Sequence, residues 1–305
     1  MAGTFSAVDL SRLPAPQVIE VLDYEVILSN ILEDFQARLQ ASGQTFSAFV
    51  ESDPVYKLAE AVAYRELLLR QRVNNAAHAV MLSSATGSDL DQIAGNYNVS
   101  RLVVVRGNPD VIPPTQDVME SDDELRRRVL LSLEGYTTAG SIASYIFHAL
   151  SASGDCLDVS VANPPIVPGT VSVAVLSRTG DGSAPAETIA AVEAALNAEE
   201  VRPLCDTVAV NSCEVVEYTI AAVLTTYTGA GREQALASAQ TAVQLYANER
   251  HRLGLDVTRA GVIAALFQHG VQNVELNQPM FDVLIGWNQV SQCTDITVTY
   301  GGISE

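Results

Sequence analysis

PVYKLAEAVAYRELLLRQRVNNAAHAVMLSSATGSDLDQIAGNYNV, residues 54–99, is the stretch on which the reading of the fold turns. From Val55 to Ala85 it contains neither proline nor glycine. Uninterrupted, that run predicts one very long helix of roughly 45 Å, at about 1.5 Å per residue. Val62, Leu69 and Ala76 recur every seven residues, and Val73 and Val80 form a second such row that Glu66 interrupts. With Leu58 they make one apolar seam along the rod. Lys57, Arg65, Arg70 and Arg72 are read as the opposite, charged face. Two readings of the seam stand side by side. It packs against the chain's own first helix, or it enters a bundle shared with another chain. Gly87 reads as the left-handed cap that stops the rod. Ser88 then opens a short helix with Leu90, Ile93, Ala94 and Tyr97 inward.

Upstream, Pro14 and Pro16 interrupt an N-terminal arm. Residues 18–39 read as a first helix, with Ile19, Leu22, Val26, Ile27, Ile31 and Phe35 at helical spacing. Downstream, residues 101–118 hold Pro109, Pro113 and Pro114 and read as a loop or extended connector. Ser121 and Glu124 form an S-x-x-E capping box, and a helix runs from there to Gly135. Another helix covers residues 141–150. The period then changes. Strands are expected at 156–162, at 171–175 and at Val208 and Val210, with a helix at 185–197. A second set follows: a clearly alternating strand at 215–227, helices at 232–249 and after Thr258, and strands at 271–276 and 296–300. The expected fold class is α+β: an all-α N-terminal domain with one very long helix, then two small α/β sandwich domains. The expected divisions are 1–112, 113–211 and 212–305.

Composition sets limits on function. The chain has 305 residues, 48% of them hydrophobic and 17% charged, enough to bury sizeable cores. Thirty-six acids against 17 Lys plus Arg leave a net charge of −19. That opposes nucleic-acid binding, which needs a basic surface against phosphate, and attachment to anionic lipid. No apolar run approaches the ~20 residues of a membrane span, and MAGTFSAVDLSRLPAP lacks a signal peptide's basic start and apolar core. A cytoplasmic protein is expected. Cys156, Cys205, Cys213 and Cys293 are scattered, without CxxC, and read as reduced structural residues.

No catalytic constellation stands out. His78, His148, His251 and His269 form no metal pair at helical spacing. The acids at 122–124 are accounted for by helix capping. Gly180-Asp181-Gly182 follows a strand and precedes a helix, where phosphate loops lie. It lacks GxxxxGK[ST] and GxGxxG and holds an acid at its centre, so a turn needing positive φ explains it. Arg126-Arg127-Arg128 is either a solvated helix face or a contact for an acidic partner. No catalytic, cofactor or metal residue is assigned. An oligomeric α/β enzyme with dispersed catalytic residues stays open as an alternative, as does a receptor-binding or adhesion protein.

Six pieces occur together and in order: LSRLPAPQVIEVLDYE (10–25), the long helical stretch, GSDLDQIAGNY (87–97), ESDDELRRRVLLSLEG (120–135), VSVAVLSRTGDG (171–182) and GLDVTRAGVIAALFQHGVQNVEL (254–276). In them the chain resembles the baseplate J-like proteins of contractile phage tails and phage-tail-like (R-type) bacteriocins. The resemblance implies a structural wedge protein that builds a sixfold inner ring with a second baseplate protein. It implies two copies per wedge, paired through the region 212–305. It implies a mixed helical bundle, met by a sheath-initiator-like protein, and a ring rearrangement that triggers sheath contraction. Assembly in the bacterial cytoplasm would precede incorporation into the particle's baseplate. Carried onto this chain, the bundle face is Leu58, Val62, Leu69, Val73, Ala76 and Val80, and Arg126, Arg127 and Arg128 are possible partner contacts. No cofactor, nucleic acid or membrane insertion is implied.

The connector gives a direct test. Limited proteolysis of the isolated protein should cut first within residues 108–115, which carry three prolines and neither periodicity. First cuts inside 58–80, with this stretch intact, would contradict the reading.

Overall fold

The computed structural model describes residues 10, 13–14, 16–44, 50–137, 140–163, 169–228 and 231–304. Most of the N-terminal arm and of the NPPIVPG link lies outside them. The chain divides into two compact units, residues 8–96 and 97–305.

The first unit is helical. α1 (Tyr24–Ala41) and α2 (Pro54–Ala79) pack through Ile27 and Leu28 against Ala59 and Ala63, with Tyr24, Ile31, Leu32, Tyr56 and Leu67 around them. Two alanines on the α2 side let the helices approach closely. Asp53 caps α2 and Pro54 takes its first turn, where a missing N–H costs nothing. α1 begins at Tyr24, six residues later than the periodicity predicts. Asp23 caps it through the amides of Glu25 and Val26. Asn74 holds the backbone of Glu20 at both ends, donating to its carbonyl at 2.8 Å and accepting from its amide at 3.1 Å. That pair of bonds keeps the preceding segment out of the helix.

The expected fold class is overturned here. Among the described residues the chain is mixed α/β, with eight α-helices and eight strands in small sheets. No very long helix leads it. α2 is 26 residues and stops at Ala79. No glycine or proline stops it; Ser84 turns back on its last turn. The amide of Met81 and the Ser84 hydroxyl both bond the His78 carbonyl, at 3.3 and 2.9 Å. The amides of Ser84 and Ala85 then close on Met81. Side-chain oxygens of this kind compete with the helical ladder. Gly87 does adopt a positive φ of 54°, but it heads α3 (Gly87–Asn96) instead of capping α2.

The second unit opens with a small hairpin. The expected connector carries β1 (Val103–Val105) and β2 (Val118–Met119), paired antiparallel. Between them the exposed loop is tied by Gly107 N to Asp117 Oδ1 and Asn108 N to Thr115 Oγ1. The hairpin lies against Gly154, whose missing Cβ would sit 2.1 Å from the Val103 carbonyl oxygen, so only glycine fits.

α4 (Asp122–Leu131) has the predicted capping box, with both Ser121–Glu124 bonds present. α5 (Ile142–Ala152) and α6 (Ala186–Leu196) cover a three-stranded sheet of β3 (Cys156–Ala162), β4 (Thr170–Ser177) and β5 (Thr207–Ser212). β4 is central, antiparallel to β3 and parallel to β5. The second sheet has β6 (Glu214–Thr226) between β7 (Val271–Gln278) and β8 (Gln289–Ile303), antiparallel and parallel respectively. α7 (Arg232–Arg250) and α8 (Arg259–Leu266) pack on it. Ala235, Ala239, Val243 and Ala247 face Tyr218, Ile220, Ala222 and Leu224.

A shared core joins the two sheets. Val173 and Val175 of β4 face α5 and α6, while Ala174 and Leu176 pack with Cys213, Leu253 and Val290. β4 is therefore covered on both faces, where its alternation predicts one. Asp158 reinforces the junction, accepting from Arg127 at 2.8 Å and from the Leu253 amide at 3.2 Å. Arg252 donates to the Leu157 carbonyl at 2.9 Å.

Glu124 generates a pH-dependent prediction. Burial pushes its carboxyl up, but hydrogen bonds from Arg178 and Ser121 outweigh this, and its pKa lies below the ordinary value. A carboxylate depressed in the folded state stabilises above its unfolded pKa, and the effect disappears as pH falls through the folded pKa. Glu124→Gln should cost about 1–2 kcal/mol at neutral pH, the scale of one charge-assisted bond. Melting curves should show the gap to wild type closing below about pH 4. A gap constant with pH would contradict this.

Candidate functional site

The residues with chemical potential are occupied structurally. His148 Nε2 meets the Gly135 carbonyl at 3.2 Å, and burial lowers the ring's pKa. His251 Nδ1 meets the Ser291 carbonyl at 2.8 Å, and His78 and His269 are exposed. Cys156 and Cys213 are buried, their thiols pushed up by burial to about 12 and about 11. These are inert rather than nucleophilic. Among the described residues no cluster of His, Cys, Asp and Glu could hold a metal. Gly180 and Gly182 have φ of 69° and 99°, the turn conformation expected of them. Asp181 accepts from the Ser183 amide, closing the turn on itself.

Asp155 was not singled out by sequence. It accepts from Ser177 at 2.9 Å and from Thr188 at 2.7 Å, with Thr179 at 3.4 Å. A carboxylate surrounded by hydroxyl donors is a saturated acceptor, and it ties β4 to α6.

The arginine run lies largely inside the fold. Arg128 and Glu120 form a buried pair at 2.6 Å, with side chains 7% and 3% exposed. Arg128 also donates to the Ser100 carbonyl and Ser151 Oγ. Burial pushes Glu120 above the ordinary carboxylate range, and the ion pair opposes that shift. Arg127 binds Asp158 across the junction, and Arg126 binds Asp123 one turn back. Glu120 precedes its helix, so no helical spacing links it to Arg128.

The apolar seam is the opposite case. α1 covers the face of α2 that holds Ala59, Ala63 and Leu67, not the seam. Leu58 is 64% exposed, Leu69 68%, Val73 58% and Val80 75%. Val62 and Ala76 are exposed as well. Within its own unit the seam is therefore not packed by the first helix. Tyr64 and Leu68, exposed beside it, widen the apolar face. Sequence reading missed them because they lie outside the two seven-residue rows. Their i, i+4 spacing was the available signal. Val80, counted as the last turn of the seam, stands just past the helix end.

Three family models match this chain in order. The baseplate J-like N-terminal domain covers residues 51–108, the central domain 137–212 and the C-terminal domain 218–299. Baseplate protein J of Escherichia phage P2 is 43% identical over 301 residues, covering 98% of this chain and 99% of that protein. A chain of the anti-feeding prophage baseplate, solved by cryo-EM, aligns at 13% identity with a TM-score of 0.40. The match covers 62% of this chain and 46% of that one, a likeness too distant to carry functional weight. With near-complete coverage at 43% identity, and its three domains in register, the chain belongs to the baseplate J-like family.

Proposed function

We propose that this protein is a structural component of a phage-tail baseplate, working through contacts with other baseplate proteins and not through catalysis. The observation that carries this is the 43% identity to phage P2 baseplate protein J over nearly the whole of both chains. Among the described residues no helix is long and apolar enough to cross a membrane.

The finer reading is that of a wedge protein. It builds a sixfold inner ring with a second baseplate protein, two copies to a wedge, and meets a sheath-initiator-like protein. Rearrangement of that ring transmits the signal for sheath contraction. The chain is assembled in the bacterial cytoplasm before it joins the particle. A three-part division at 1–112, 113–211 and 212–305 is supported by the ranges of the three family models. Self-pairing belongs to the last part.

The α2 seam is the proposed bundle face. Its support is physical. Leu58, Leu69 and Val73 stand exposed on a side of α2 that α1 does not cover, and Val80 is exposed just past the helix end. A contiguous apolar face of that kind marks an interaction site on a soluble protein. The Arg126–Arg128 run is the weaker candidate for a partner contact, since all three guanidinium groups already hold internal acids.

Leu69→Asp tests the seam. Because Leu69 is 68% exposed, the isolated variant should keep its circular dichroism spectrum and melting temperature. In a closed bundle the buried, unpaired carboxylate would cost several kcal/mol, roughly a hundredfold or more in association. Co-purification with the adjacent baseplate component should then be lost. Normal co-purification would remove the seam from the interface, and unfolding of the isolated variant would make it a core.

A further inference from the structure

A hollow of about 570 Å³ lies on the surface of α2, lined by Ala61, Tyr64, Arg65, Leu68 and Leu69. Ala61, Tyr64, Arg65 and Leu68 stand at i, i+3, i+4 and i+7. That is the arrangement of four residues into which a facing helix inserts one apolar side chain. Ala61 leaves the hollow a low floor, and Tyr64 and Leu68, both exposed, are its apolar walls. α1 does not reach it, since α1 packs on the face of Ala59, Ala63 and Leu67.

One corner of the hollow is charged. Arg65 follows Leu58 by seven residues and precedes Arg72 by seven. Residues so spaced fall almost in line along a helix. Of the four cations read as the face opposite the seam, Arg65 and Arg72 therefore border it instead. Their pairing sets them apart as well. Lys57 holds Glu60 at 2.9 Å, and Arg70 holds Glu66 at 2.6 Å and Glu20 at 3.1 Å. Arg65 and Arg72 are exposed and have no ion pair among the described residues. In a chain of 36 acids and 17 Lys plus Arg, two unpaired arginines along an exposed apolar face are a local reversal of sign.

We propose that the partner on this face is a helix of a different protein, whose apolar stripe fills the hollow and whose flanking acids meet Arg65 and Arg72. The proposal rests on the reading of the α2 seam as a bundle face and adds the chemistry of the partner to it. Charges that flank an apolar seam decide which helix pairs and in which register. They do so by penalising a like-charged partner as well as by favouring an opposite one. Two residues a heptad apart are separated by about 10 Å along the axis, so the matching acids on the partner also lie a heptad apart. The first unit of a second copy does not fit. Another α2 would bring the same two arginines, and its Glu60 and Glu66 are already held. α1 has Val26 alone among the exposed large apolar side chains, too little for a stripe.

The test uses the full chain and the adjacent baseplate component, with affinity measured at about 0.05 M and about 0.3 M salt. Arg65→Glu combined with Arg72→Glu exchanges one good helix former for another at exposed positions. Circular dichroism and melting temperature should therefore match wild type, and affinity should fall about tenfold or more. Arg65→Gln combined with Arg72→Gln should lose less and should respond less to salt than wild type. Arg106→Glu, at an exposed arginine of the other unit, should leave affinity unchanged. Wild-type affinity in the Arg→Glu double variant, equal losses in the two double variants, or a comparable loss from Arg106→Glu would each overturn the acidic partner. Leu69→Asp separates this outcome from failure of the seam. If Leu69→Asp abolishes association while the Arg→Glu double variant binds normally, the seam is an interface and its partner is not acid-flanked. If neither change affects association, both readings fall. A wild-type chain that dimerises in sedimentation, with the dimer lost on Leu69→Asp, would make a second copy the occupant and overturn the proposal.

Discussion

The Asp158 carboxylate fixes the arrangement on which the larger unit depends. One oxygen accepts from Arg127 on α4 and the other from the Leu253 amide beyond α7. Strand, capping-box helix and C-terminal sheet are thereby held at one point. Alone, such a carboxylate would be expensive to bury. It is tolerated because each oxygen has a donor. The two sheets consequently share an interior instead of meeting as separate bodies on a linker.

Around that junction the acids and bases of α4 act as internal fasteners. Glu124 closes its own helix's cap and takes Arg178 from the turn after β4. Arg101 binds Asp122, and Arg128 binds Glu120. Arg101, Arg126, Arg127, Arg128 and Arg178, five of the chain's 17 basic residues, are held in such pairs. The exposed apolar side of α2 is the surface through which association is proposed.

Much of the local structure was legible in the residues. The Ser121–Glu124 box, the positive-φ glycines 180 and 182, and the alternation of β6 each follow from short-range chemistry, and each is present. The family resemblance was legible too, since the matching pieces run in order through the chain. The length of α2 was not. Its end is set by the Ser84 hydroxyl turning back to His78, a choice that neither proline nor glycine announces.

By itself, then, the sequence determined most of the helices and sheet strands, the family and the absence of recognised catalytic motifs, but not the β1–β2 hairpin in the stretch read as a connector. Periodicity, caps and turn residues act over a few positions and are written in neighbouring letters. Only the tertiary structure decided which faces are used. It put Ala59 and Ala63 rather than the heptad rows against α1. It buried Arg128 with an acid that no helical spacing connects to it, and it covered both faces of β4. These outcomes depend on residues far apart in sequence meeting in space, where burial and pairing are settled by what arrives from the other side.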